Sequence, residues 1–317
     1  MTSAITLMAY IFLVVFAVAP ALAKAQWTTR APRLGIAAWH LLCGATVTAV
    51  LCASLMLSLN LPYVGATVAS VVDLCTSTLQ HIYGAPDRHT ASVVALLALL
   101  AVPLRLGYVG VRLMLESRRQ SRRLMGLISP IAKHVPGCHD ALVIDHCERY
   151  AFCLPGRGGR LVITSALMAD LSPGQLVAVL AHERAHRTQH HHLALLVPRV
   201  LGRTFGRRLP VFMMAETQVA RLIELCADDA ARRVAGRDAL AQALMRVTRM
   251  PVNTPVLSAS AVAVEERLAR LSSHPGRVGA VRTALLSLGL AALALAPFLM
   301  ALTPALGTAW HDLCIVG

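Results

Sequence analysis

Aromatic residues are scarce in this chain, at 4%, and charged residues are few, at 15%. The formal charge of +14 would suit a nucleic-acid partner. Such a partner needs basic groups interleaved with aromatic stacking platforms. No stripe of that kind occurs, so nucleic acid is excluded as the expected partner. The eight cysteines contain no C-x-x-C pair, which removes the usual spacing of a redox motif, and they do not read as a disulfide framework. Internal repeats and low-complexity tracts are also absent.

What is abundant is apolar sequence, 56% of the chain, and it is clustered. Ala4 to Ala23 is uncharged. Leu34 to Leu61 has only His40 and Asn60 as strongly polar positions. Ala91 to Leu115 is apolar except for Arg105 and Arg112, and an uncharged stretch follows Arg282 as far as Trp310. A bilayer core takes about 20 apolar residues per helix, so these runs predict four transmembrane helices. The third has to let its arginines snorkel or turn them toward protein. Ala21-Leu22-Ala23 resembles a signal-peptidase site, but nothing before Lys24 is basic, and the segment is read as a retained span.

The basic residues set the orientation. Lys24, Arg30 and Arg33 follow the first span, whereas Asn60 to Thr90 has only Arg88 against Asp73 and Asp87. Glu116 to Val278 holds most of the remainder, beginning with Arg118, Arg119, Arg122 and Arg123. The positive-inside rule then predicts a multi-pass plasma-membrane protein with both termini outside and the long segment in the cytoplasm. Its charge would lie against an anionic leaflet. The chain divides accordingly into 1–115 (three spans), 116–278 (a cytoplasmic domain) and 279–317 (the fourth span and tail). Cys43 and Cys52 fall inside a span. Cys138, Cys147, Cys153 and Cys226 fall where thiols stay reduced. Cys75 and Cys314 both fall outside, where pairing is open.

Within the cytoplasmic segment, Glu116 to Gly137 predicts a basic helix. Short runs at Ala141–Asp145 and Leu161–Thr164, rich in β-branched residues, and at Tyr150–Leu154, apolar with two aromatics, predict strands, the last two in sequence as a hairpin around the turn cluster Pro155–Gly159. Ser172 can cap a helix with Pro173 at its first position, running to about Leu196. Further helices are expected from Pro210 or Val211 to Ala235, ending at Gly236, then from Asp238 to Arg249 and from Val264 to Leu271. The expected fold class is a mainly α integral membrane protein. Four transmembrane helices carry a cytoplasmic α+β domain, a small β-sheet plus active-site helices, between the third and fourth.

The first of those cytoplasmic active-site helices contains "VLAHERAHRTQHHH". His182-Glu183-Arg184-Ala185-His186 fits H-E-x-x-H, the helical zinc signature. Residues four apart share a helix face, so His182 and His186 can grip one ion. Glu183, one step round, can hold and deprotonate a water. The preceding "QLVAVLA" is a face that should be buried, where ionised groups are costly unless paired or bound to metal. A catalytic zinc usually takes a third protein ligand. His192 stands where the extended motif H-E-x-x-H-x-x-G-x-x-H has its last histidine, but Gln189 replaces the helix-breaking glycine. A continuing helix carries His192 off the face and His190 a full turn too far. Glu224, in "ELCAD" on a separate helix, is the better third ligand. Asp228, one turn on, can accept from a ligating ring N–H. Asp229 is expected in solvent, and Met213 and Met214 in apolar contacts.

At these residues a resemblance enters. "FCLPGRGGRLVITSALMADLSPGQLVAVLAHERAH", followed by "ELCADDAA", resembles the gluzincin membrane metallopeptidases. These comprise the beta-lactam sensor-transducers (metallopeptidase family 56) and the heat-shock and prenyl-protein proteases (family 48). The span order is more similar to the former. The resemblance implies a zinc metalloendopeptidase with one Zn2+ per chain held by His182, His186 and Glu224, with Glu183 as general base and Asp228 orienting a ligand. It implies a protein or peptide substrate beside the bilayer and, if it extends to signalling, a cytoplasmic transcriptional regulator of repressor type. A zinc-free membrane scaffold is the alternative. The sensor-transducers carry an extracellular penicillin-binding domain after the last span; with Gly317 as the final residue, none is expected here. Tyr150–Leu154 is a candidate edge strand for an extended substrate. Tyr150, His190 and Arg232 are candidate oxyanion helpers. Arg199, Arg203 and Arg207 form a basic helical face.

Overall fold

The computed structural model describes residues 2–58, 89–134, 141–154, 160–248, 257–273, 276 and 278–315. The turn cluster Pro155–Gly159, the loop from Asn60 to Arg88 with Cys75, Cys138, Arg249 and the side chains of Arg207 and Cys314 lie outside the described residues. The described chain is mostly helical. It begins with α1 (Thr2–Leu13), a wide turn at Val14–Val18 and α2 (Ala19–Lys24) in one rod. The widening has a local cause. Pro20 has no N–H and its ring crowds the carbonyl four residues back, and the turn before it opens so that Ala19 N–H reaches Val14 O. A single turn, α3 (Trp27–Arg30), leads to α4 (Pro32–Ser58), and α5 (His89–Ile128) follows.

Among the described residues, four helical segments are long and apolar enough to cross a membrane: Ile5–Lys24, Pro32–Ser58, Val93–Ile128 and Ala280–Leu302. Arg112 in the third donates to Glu116 at 2.8 Å, one turn further along the same helix.

The basic helix ends earlier than its composition suggests. Glu116 to Gly137 was expected to be helical, but α5 stops at Ile128 and Lys133–His134 instead forms strand β1. Pro130 has no N–H with which to continue the helical ladder, and α5 closes in a turn in which the Ile131 and Ala132 N–H groups both donate to Ile128 O. Strands β2 (Ala141–Ile144), β3 (Ala151–Cys153) and β4 (Leu161–Thr164) complete a sheet of order β1-β2-β4-β3. β2 runs parallel to β4 with Leu142 opposite Val162; β3 runs antiparallel with Phe152 opposite Val162. β4 is wholly buried and β2 largely so, whereas β3 is half-buried at the edge.

Helix α6 (Ser165–Asp170) precedes α7 (Pro173–Thr188), which carries the H-E-x-x-H residues. Ser172 caps α7 in a reciprocal capping box with Gln175, and Pro173 takes the first turn, where its missing N–H costs nothing. The expected continuation to Leu196 does not occur. The chain turns at His190, left-handed at φ 53, and restarts as α8 (His191–Phe205). Then come α9 (Pro210–Ala235), α10 (Arg237–Thr248), α11 (Leu257–Ser272) and α12 (Ala280–Ile315). α11 begins well before the expected Val264. Gly236 ends α9 at φ 83, a conformation that suits glycine.

Two buried clusters meet on α9. Val211, Phe212, Ala215, Val219 and Leu222 pack with Leu7, Val14, Trp39 and Leu42 of α1, the wide turn and α4. Ala231, near the other end of α9, packs with Ile163, Leu167, Ala178 and Leu240 of the sheet, α6, α7 and α10. Gly35 lets α4 approach α9: a Cβ there would lie 2.9 Å from Leu222 Cδ1. One helix therefore joins the apolar span bundle to the small sheet, and the candidate site lies along it.

Candidate metal centre

The capping box starts α7 at a fixed residue, and its buried face then carries Ala178, Ala181, His182 and Ala185. The 3.6-residue repeat places His186 one turn beyond His182 on that face. The two rings meet with Nε2 atoms 3.2 Å apart. α9 packs alongside and brings Glu224 to them, Oε2 at 3.4 Å from His182 Nε2 and Oε1 at 3.6 Å from His186 Nε2. One donor atom from each residue lies within 4.8 Å of the other two.

Zinc binds imidazole nitrogen and carboxylate oxygen at about 2.0–2.2 Å, so the edge of a tetrahedral site is about 3.3 Å. The three observed separations are close to that edge, and all three donors are of types that zinc takes. The side chains of His182 and His186 are largely enclosed, while Glu224 keeps 38% of its side-chain exposure, leaving one approach open.

A buried ionic frame holds these groups. His182 Nδ1 lies 3.0 Å from Asp228 Oδ1, at an angle short of a well-aligned hydrogen bond, and among the described residues it has no other partner. Asp228 sits one turn after Glu224 and is almost wholly buried. Arg267 of α11 donates to both its oxygens at 2.7 Å and comes within 3.3 Å of Glu224 Oε2. Burial alone would raise the Asp228 carboxyl, but Arg267 and His182 hold it down at about 2. Glu224 is held at about 2 against the same burial penalty, by His182 and then Arg267. His182 is pushed up to about 9 despite burial, because Asp228 and Glu224 favour its cation. Burial lowers His186.

Glu183 is different. Desolvation pushes it up to about 7. It accepts a backbone hydrogen bond from Cys153 of β3. A carboxylate poised near neutrality can both take and return a proton.

The structure brings His182, His186 and Glu224 together, with Asp228 behind His182 and Glu183 facing β3. His190 and His192 stay apart from this group; their rings stack on each other, 6.2 Å between centroids. Of the three oxyanion candidates, Tyr150 is exposed, Arg232 lies 3.6 Å from Asp229, and the His190 ring turns to Thr188 O. Asp229 is not a free surface group as expected. Arg270 donates to both its oxygens at 2.9 Å, because α11 lies along this face of α9.

Two residues at the site were not foreseen. His191 is buried, with Nδ1 3.1 Å from His186 Nδ1. Its neighbours His190 and His192 drew attention through motif position, yet the helix break turns the middle residue inward. Arg267 lies 39 residues from Asp228, too distant for any local pattern to link them. Its only signal is the Arg267–Arg270 spacing, which puts two guanidinium groups on one helical face opposite Asp228 and Asp229.

Residues 116–205 match the family model of Peptidase family M48, a metallopeptidase family. The match takes in the sheet, α7 and α8, and stops before Glu224, Asp228 and Arg267. Neither the curated proteins nor the solved structures contain a match to this chain. Residues 116–205 thus form a segment like those of the M48 metallopeptidases, set among helices apolar enough to enter a bilayer.

Proposed function

We propose that this protein is a membrane-embedded zinc metalloendopeptidase, with one Zn2+ held by His182, His186 and Glu224. The observation that carries the reading is the convergence of those three donors, at separations suited to a tetrahedral ion, beside a carboxylate raised to about 7. Zinc held there would supply a Lewis acid for the scissile carbonyl and would lower the pKa of the attacking water. Glu183 takes that water's proton and returns it to the leaving amine. Asp228 orients His182, and Arg267 keeps Asp228 ionised and fixed.

The substrate would add to β3. Tyr150 O and Leu154 N–H bond toward β4, so by alternation Ala151 and Cys153 present their backbone groups to the other edge. Among the described residues β3 pairs only with β4. Glu183 takes the Cys153 N–H at that edge, which puts the edge beside the proposed base. An extended peptide can hydrogen-bond there with its carbonyl near the metal.

In this reading, residues 1–115 and 279–317 supply the spans, and 116–278 form a catalytic domain on the cytoplasmic side of the plasma membrane with both termini outside. The cationic residues after the first and third spans support that orientation. Three spans before the site and one after also favour a signalling variant of the same chemistry, as in the sensor-transducers, in which the substrate is a repressor-type regulator.

The test compares the purified full chain with Glu183→Gln on an unfolded protein substrate. Hydrolysis should fall by at least about 100-fold in the variant, the range of a lost general base, while zinc content is unchanged. Equal hydrolysis by both proteins would refute the assignment.

A further inference from the structure

His191 is 5% exposed, and its ring meets the His186 ring edge-on with Nδ1 facing Nδ1. Resting on the metal reading above, that contact has a definite polarity. A ring that binds metal through Nε2 carries its proton on Nδ1, and that N–H needs an acceptor. His186 Nε2 is turned to His182 and Glu224, so its Nδ1 is the protonated nitrogen. His191 can accept only as a neutral ring with its own proton on Nε2. It cannot join the ligands, because it lies on the opposite edge of the His186 ring.

The chain is shaped to deliver this residue. On an unbroken helix, residue 191 would lie about 140° round the axis from residue 186. The left-handed turn at His190 brings it back. Arg33, just before α4 enters the apolar bundle, donates to Gln189 at the same turn at 3.3 Å. The titratable and charged groups that act on His191 are the imidazoles of His186 and His182, the carboxylate of Glu224 and the guanidinium of Arg33, with His186 in direct contact.

We propose that neutral His191 is a positioning residue that accepts the Nδ1 proton of His186 and aims that ring's Nε2 at the metal. A metal-bound histidine is more often oriented by a carboxylate or a carbonyl; here a second imidazole does it.

The test is the zinc dissociation constant of the full chain in detergent, measured by chelator competition on wild type, His191→Leu and His191→Asp. Leu fills the space without an acceptor and should weaken binding about 10–100-fold. Asp restores an acceptor and should recover most of the loss. A folded His191→Leu that binds as tightly as wild type, or an Asp variant no better than Leu, would overturn the proposal alone. A wild type that binds no zinc would overturn the metal reading and this proposal together. If His191→Leu does not fold, 15N-histidine spectra of the zinc-loaded wild type decide, with the His191 signals assigned by their loss in His191→Asp. A bare Nδ1 with the proton on Nε2 of His191 supports the proposal; a protonated Nδ1 overturns it.

Discussion

Asp228 and Arg267 form the tightest ion pair of the site, and both are buried. Breaking such a pair from one side leaves an uncompensated charge, at a cost of about 3–5 kcal/mol. Arg267→Met should therefore lower thermal stability sharply, and Asp228→Asn in the same chain should recover part of the loss. A single Arg267→Met variant that melts like wild type would contradict the geometry. The same pair sets an acid limit. Asp228 is held at about 2, against an ordinary value of about 3.9. Its stabilising contribution is complete above the ordinary value and is lost as pH falls through the depressed one. Metal-free wild-type protein should lose stability between roughly pH 4 and pH 2, and Asp228→Asn should show less of that dependence. At this scale the sequence displayed His182, Glu183 and His186 through spacing alone. It pointed to Glu224 and Asp228 through a second charged turn on an apolar helix. It concealed Arg267 and His191, which reach the site by tertiary approach.

Between residues and the whole lie the helices, and the break between α7 and α8 shows where local reading ends. The start of α7 was readable because Ser172, Pro173 and Gln175 act on neighbouring backbone groups. Its end was not. The usual signal is glycine, and here a histidine takes the left-handed turn, held by burial of His191 and contact with Arg33. Histidine tolerates that region better than most side chains, and a β-branched residue tolerates it poorly. His190→Gly should keep the stability and metal affinity of wild type. His190→Val should cost about 1–2 kcal/mol and weaken zinc binding by moving His191, read from thermal melts and chelator competition. Equal behaviour of Val and Gly would show that the turn carries no strain. The end of α5 teaches the converse: Pro130, two residues beyond Ile128, is a local boundary signal within the basic stretch from Glu116 to Gly137. α9 matched its expected limits because Pro210 and Gly236 bracket it in local chemistry.

Across the whole molecule, apolar content alone exposed the four span-like helices, since length and hydropathy decide them without tertiary detail. Strands β2, β3 and β4 were legible as short apolar runs, but β1 and the order of the sheet were not: the parallel β2–β4 pairing places non-consecutive strands side by side. Also hidden was the role of α9, whose first half packs among the span helices while its second half reaches the sheet. The candidate ligands lie at the junction. Glu224 follows Leu222 by two residues, and Leu222 abuts Gly35 of α4. The apolar bundle thus supports the candidate metal centre directly.

The central claim is that Glu224, from a distant helix, completes a cage begun by His182 and His186. The most direct measurement is the metal content of the purified full chain beside that of Glu224→Ala, prepared identically and confirmed as folded. About one zinc per wild-type chain, lost in the variant, is the expected result for a three-ligand site. Wild-type protein without zinc, or Glu224→Ala that retains it fully, would contradict the account.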